Sequence, residues 1–396
     1  MKIEKSQIIS YRLCSHHLDK LYPADNIVAA AGACGLQNSP PGAWETALFN
    51  RLEGCSMQML HKALHEQKKL LQAWSYRGVP VVFPTDQSDA FLSALIPQQG
   101  EPWIYTQGIA LALDFMRMQF DDFLILVKEA ALYLDNHTIQ SKEALDKTLA
   151  EIVCEHLPEE KQKLWRAPSM YGNPEKHIVG EAVVSFLLRP CSFESLVVFG
   201  ERQGISPTFT SYKNWIGQAN IPMPEAEKKI ARKFLHCYGP ATADHFMVWL
   251  GCSKQQAHRI WNTIADEIEP VQVEGKTRYM LSADIESLLA ADNHEPRLLL
   301  LGAHDPYLDQ RDRTVILENK SMHKTVWKTV ANPGAVLKAG RVIGIWKTKT
   351  LKDKLDISMT LWEAIEPQEK QYLKSLAEKL AVFRSLHMKN CTIETD

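Results

Sequence analysis

The chain has 396 residues, 45% of them hydrophobic, which is material for two to three domains of roughly 150 residues and no signature of global disorder. Its 45 Lys+Arg against 47 Asp+Glu exclude a polycation that coats nucleic acid by total charge alone. The first residues lack a secretory apolar run, no stretch approaches the ~18 apolar residues of a membrane span, and the eight scattered cysteines form no CxxC pair, so a soluble, reducing, cytoplasmic setting with no membrane partner is expected.

In chain order, apolar residues recur at helical spacing over 8–19 and 26–34, with Gly35 just past the second helix. A polar link, 35–39, follows. Pro40 and Pro41 then open a helix, where a missing N–H costs nothing, and it runs through Trp44, Leu48 and Leu52 to Gly54. Ser56 is placed as the N-cap of a helix carrying Met57, Leu60 and Leu64 on one face. Segments 69–76 and 79–83 flank Arg77-Gly78, the pattern of a tight hairpin. Three helices and a ribbon give a winged helix outline.

The outline recurs. A helix over 177–188 precedes strand-like runs at 196–199 and 207–212, and a third copy runs helix 226–238, helix 242–250, a Gly251-Cys252 turn, helix 253–268 and a hairpin at 271–273 and 278–281. Beyond 290 the texture changes to short strand-like runs at 298–301, 315–317, 326–330, 335–337, 341–346 and 355–360, which suggest a small β-barrel. An amphipathic helix from Pro367 to about Met388 closes the chain. The expected architecture is α+β: tandem winged helix (helix-turn-helix) domains at 1–97, 98–220 and 221–290, a basic β-barrel at 291–366 and a helical tail at 367–396.

Charge is segregated. Residues 311–354 hold eleven Lys/Arg and three Asp/Glu, leaving 34 basic and 44 acidic residues elsewhere. Such a patch suits phosphate contact with counterion release, and Trp327 and Trp346 within it suit sugar or base contacts. Lysines alternating on a solvated strand face give the same composition. No phosphate loop, HExxH or GxSxG occurs, and no metal, nucleotide or other cofactor is expected.

Six stretches taken together resemble the AlkZ-like, YcaQ-type winged helix family, which includes bacterial alkylpurine DNA glycosylases. They are 29–37, the 72–78 run QAWSYRG, the 197–200 run VVFG, the 238–246 run YGPATADHF, the 305–313 run DPYLDQRDR, and 340–346. They cover nearly the whole chain in family order. The resemblance implies three winged helices and a C-terminal barrel forming a concave cradle for double-stranded DNA, acting as a monomer.

The family's enzymes carry Gln-x-Gln or Gln-x-Asp on the link after the second helix, where this chain has Gln37-Asn38-Ser39. The resemblance thus assigns catalysis to Gln37, orienting a water, and to Ser39, which replaces the second Gln or Asp. A cationic alkylpurine needs no general acid to leave, so the site has to hold water and stabilise an oxocarbenium-like sugar. A Ser hydroxyl can position water but brings no charge. Weaker, altered or absent activity is therefore expected, and the alternative is a non-catalytic DNA binder, a regulator or lesion sensor. By spacing alone Gln37 could equally cap the following helix and Ser39 serve as its N-cap. Asn38 could supply a substitute amide and is counted with the DNA contacts. Arg77, Arg202 and Lys276 sit on the three wings, and Arg311, Arg313, Arg341 and Lys347 in the basic stretch complete the expected DNA-contacting set. His16-His17 is expected on a solvated helix end, and the resemblance gives Asp305 and Asp309 a structural role.

Overall fold

Helices with one apolar face alternate with strands along the chain, and the strands among the described residues gather into three sheets. The computed structural model describes residues 1–291 and 297–395. Residues 292–296, at the start of the expected barrel segment, lie outside the described residues.

The first sheet draws on two of the expected units. It contains β1 (Leu36–Gln37), β2 (Leu70–Trp74), β3 (Pro80–Pro84), β4 (Ile139–Gln140), β5 (Val198–Phe199) and β6 (Thr208–Thr210), in the order β1-β3-β2-β5-β6-β4. The hairpin at Arg77-Gly78 forms as expected between β2 and β3, with two consecutive left-handed residues, φ 56° and 67°, in its turn. Its outer strand does not end in solvent. Gln72 pairs with Phe199 of β5, so the first two ribbons merge into one sheet instead of standing as separate wings.

The third unit follows its expected element order. Helices Ala226–Tyr238, Ala243–Leu250 and Lys254–Asn262 are followed by the hairpin of β7 (Ile268–Val273) and β8 (Lys276–Leu281). Thr242 and Ser253 cap the second and third helices by accepting N–H bonds from His245 and Gln256, each at 3.2 Å.

The expected barrel is an open sheet. β9 (Leu298–Leu301), β10 (Gly334–Lys338), β11 (Arg341–Leu351), β12 (Lys354–Leu361) and β13 (His387–Thr395) lie in the order β13-β12-β11-β10-β9, and no closed barrel is found among the described residues. Two expected strands are missing from it: 315–317 ends a 3₁₀ turn, Arg313–Val315, and 326–330 begins at the end of a helical turn, His323–Val326. The tail is only half helical. Helix Pro367–Phe383 returns the chain so that β13 pairs in parallel with β12.

Its edge strand β9 is buried on both faces, which explains the unbroken run Leu298–Leu301. Leu298 and Leu300 join a core with Leu36, Trp44 and the tail-helix residues Leu373 and Leu380, while Leu299 and Leu301 face a second core with Ile8, Val271 and Tyr307. No described helix is long and apolar enough to cross a membrane.

Candidate active site

The link is held in place by main-chain pairing before any side chain acts. Leu36 and Gln37 pair with Val82 and Val81, and the Asn38 N–H donates to Pro80 O at 2.8 Å. Asn38 is buried. Its Oδ1 accepts the Gly42 N–H at 2.8 Å, at the start of helix Ala43–Phe49, and its Nδ2 donates to Gln72 Oε1 at 3.1 Å. The capping that spacing offered to Gln37 or Ser39 therefore falls to Asn38, whose amide is engaged inside the protein.

Gln37 is fixed at both ends of its carboxamide. Its Nε2 donates to the Ser39 carbonyl at 3.0 Å, and its Oε1 accepts from Arg77 Nη2 at 3.2 Å. Arg77, expected to reach phosphate from the hairpin tip, turns inward instead. Its Nη1 pairs with Asp309 Oδ2 at 2.7 Å and donates to Trp249 O at 2.7 Å, and the guanidinium lies 4.9 Å over Tyr76. Burial is the largest influence on Arg77 and opposes its charge, but Asp309, with Tyr76 and Tyr238, outweighs it and its pKa is raised above the usual value.

Gln37 lines a cavity of about 210 Å³ with His304, Asp309, Arg313, Trp327 and Asn332. Arg313 stacks 4.6 Å over Trp327, whose indole N–H donates to Leu308 O at 2.8 Å. Lys328, Asn332 and Pro333 also border a second cleft of about 780 Å³, which runs past Pro40, Pro41 and Glu45 to Arg202, Lys347 and Arg384. Glu45 is buried there, and among the described residues its Oε2 has no hydrogen-bond partner; burial pushes its carboxyl up, with Arg202 among the groups opposing the shift.

The fold thus brings Gln37 and Arg313 to one cavity, with Arg77 bonded to Gln37 but not lining it, and Arg202 and Lys347 to the adjoining cleft. Ser39 enters by its carbonyl. Arg311 donates to Asp309 Oδ1 at 2.7 Å, behind the cavity wall. Lys276 and Arg341 are exposed and line neither space. Of the two tryptophans, Trp327 faces the cavity and Trp346 is buried, donating to Leu301 O at 2.8 Å. Sequence reasoning does not single out Asp309, Asn332 or Lys328 as site residues; only their place in family stretches or the basic run could mark them.

The histidine pair also departs from its solvated expectation. His16 is buried, and its Nδ1 lies 3.9 Å from Cys34 Sγ. With Cys237 these form a buried group whose ligand-type atoms lie within 4.8 Å of one another, the one donor set among the described residues that could hold a metal. Residues separated by 18 and 203 positions give no spacing signal for it.

These features define an α+β protein with a carboxamide held at the wall of a cavity, beside a cleft bordered by Arg202, Lys328, Lys347 and Arg384. The chain matches the DNA glycosylase AlkZ-like family over residues 30–383 and belongs to that family. It is 23% identical over 365 residues to an interstrand DNA cross-link repair glycosylase of Streptomyces sahachiroi, covering 88% of each chain. The solved structure of Streptomyces sahachiroi DNA glycosylase AlkZ has the same fold, with a TM-score of 0.75 and 20% identity over 98% of this chain and 100% of that one.

Proposed function

We propose that this chain is a cytoplasmic, monomeric, monofunctional DNA glycosylase that excises cationic N-alkylated purines from duplex DNA by hydrolysing the N-glycosidic bond. The observation that carries this reading is the Gln37 carboxamide, oriented at both ends on the wall of a cavity that opens beside a basic cleft. A positively charged base leaves without a proton donor, so the reaction asks the protein for a positioned water and for oxygen atoms facing the sugar as positive charge develops. The Gln37 carbonyl answers both needs. Arg202, Lys328 and Lys347 on the cleft rim supply phosphate contacts. The relative's name supports including cross-linked duplexes among the substrates.

Ser39 favours the alternative of a DNA binder without chemistry, because it offers no second amide or carboxylate. One assay decides. A duplex carrying N7-methylguanine is incubated with the protein and treated with alkali to cut abasic sites. Strand breaks are expected with the wild type, and Gln37→Ala should abolish them while duplex binding persists. Tight, salt-sensitive binding with no breaks at excess protein would establish the non-catalytic reading.

A further inference from the structure

Gln37 is the only part of the family motif whose side chain this chain keeps, so its orientation carries more of the chemistry than it would beside a second amide or acid. A carboxamide has two nearly isosteric ends, and rotation by half a turn exchanges an acceptor for a donor. Here the surroundings permit one choice. A guanidinium can only donate and a peptide carbonyl can only accept, so Arg77 Nη2 must meet Oε1 and the Ser39 carbonyl must meet Nε2. The oxygen keeps a second lone pair for a water in the cavity.

Arg77 cannot provide this alone. A long, flexible side chain has no reason to point away from solvent, and its charge is opposed by burial. Three features hold it besides the Trp249 carbonyl and the Tyr76 ring. Its backbone is left-handed, at φ 56°. The turn after helix Ala243–Leu250 presses on it closely enough that a Cβ at Gly251 would lie 2.8 Å from Arg77 Cα. Asp309 fixes the guanidinium at 2.7 Å, and its other oxygen is itself fixed by Arg311 at 2.7 Å. Asp309 and Gln37 line the same cavity.

We propose that Asp309 is a positioning residue for Gln37, holding the Arg77 guanidinium so that the Gln37 carbonyl is presented to the cavity. The proposal rests on the glycosylase reading, and it explains how a chain with Ser39 keeps a defined site: residue 39 contributes a main-chain carbonyl that any side chain there would leave in place. Asp309 touches no reacting atom. Its effect passes through Arg77.

The test compares wild type, Asp309→Asn, Asp309→Glu and Arg77→Lys by single-turnover excision of N7-methylguanine at saturating protein, by duplex Kd, and by the side-chain amide signals of Gln37 in selectively labelled protein. Asp309→Asn should lower the single-turnover rate by about tenfold to a hundredfold, as misplacement of a catalytic group does, with Kd within about twofold. Asp309→Glu, which keeps the carboxylate, should recover part of the rate. Arg77→Lys should not, since one ammonium replaces a planar fork. The Gln37 amide protons, dispersed in the wild type, should move to solvent-averaged positions in Asp309→Asn. An active wild type with an unchanged Asp309→Asn rate overturns the proposal, as does a parallel loss of rate and binding. If the wild type excises nothing, the glycosylase reading fails by itself, and the amide signals still decide the positioning: unchanged in Asp309→Asn, they overturn it.

Discussion

A link is only as good as what holds it, and here each of the three residues 37–39 has a different occupation. Gln37 is oriented by charge, Asn38 caps and pins, and Ser39 lends a carbonyl. Gln37 is legible in the sequence because a family motif marks it. Its partners are not, since Arg77 reads as an exposed hairpin tip until the third unit is packed on it, and no local pattern announces that packing. The same geometry makes position 39 the place to add function. Ser39→Asp should bring a carboxylate beside the developing sugar cation and raise single-turnover excision by about tenfold or more, in line with the worth of one well-placed electrostatic group. An unchanged rate would mean that side chains at 39 do not face the sugar. Duplex affinity should fall slightly, because the new charge opposes phosphate.

At the scale of elements, the segment 305–312 acts as the joint between units. Asp305 holds Arg51 at 2.8 and 2.9 Å, Asp309 holds Arg77, and Asp312 holds Arg12 at 2.8 and 3.0 Å and also pairs with Arg278. Family resemblance gives Asp305 and Asp309 a structural role, but their partners lie far away in sequence and only packing reveals them. Helix ends are easier to read, because caps are local: Ser56 accepts the Met59 N–H at 3.2 Å and caps helix Met57–His61 where the sequence places it. Sheet closure is non-local, and six strand-like runs fit an open sheet as readily as a barrel. Burial alone would raise the Asp312 carboxyl, yet Arg12 and Arg278 hold it at about 2. Against about 3.9 in an unfolded chain, a depressed folded pKa contributes stability that is complete above about pH 4 and is lost as pH falls toward 2. Asp312→Asn leaves two buried guanidinium groups without their counter-charge, a loss of about 3–5 kcal/mol near neutrality. Urea unfolding of wild type and variant should therefore differ most at neutral pH, and the gap should narrow as pH falls from 4 toward 2; a gap that keeps its full size at pH 2 would assign the cost to packing.

Across the whole molecule the near-neutral total conceals an uneven distribution, and the fold decides which of the clustered cations can work. Arg311 is tied to Asp309 and Lys338 to Glu369, so neither is available to a polyanion. Lys328, Lys347, Lys349, Lys352 and Lys354 are exposed, and the last four stand on the outer half of the β11–β12 hairpin. Lys328 and Lys347 border the cleft that adjoins the Gln37 cavity. A basic surface on an acidic remainder should confine binding to a short stretch of duplex, with strong dependence on salt. Replacing Lys347 and Lys349 by Gln removes two of these cations without touching a buried group. The slope of log Kobs against log salt should then shrink by about one for each phosphate that is no longer neutralised, whatever the sequence of the duplex. Excision at saturating protein should hold its rate, because the Gln37 clamp lies on other elements. If the slope stays that of the wild type, the hairpin does not lie on the phosphates, and Arg202 and Lys328 become the cations to remove next.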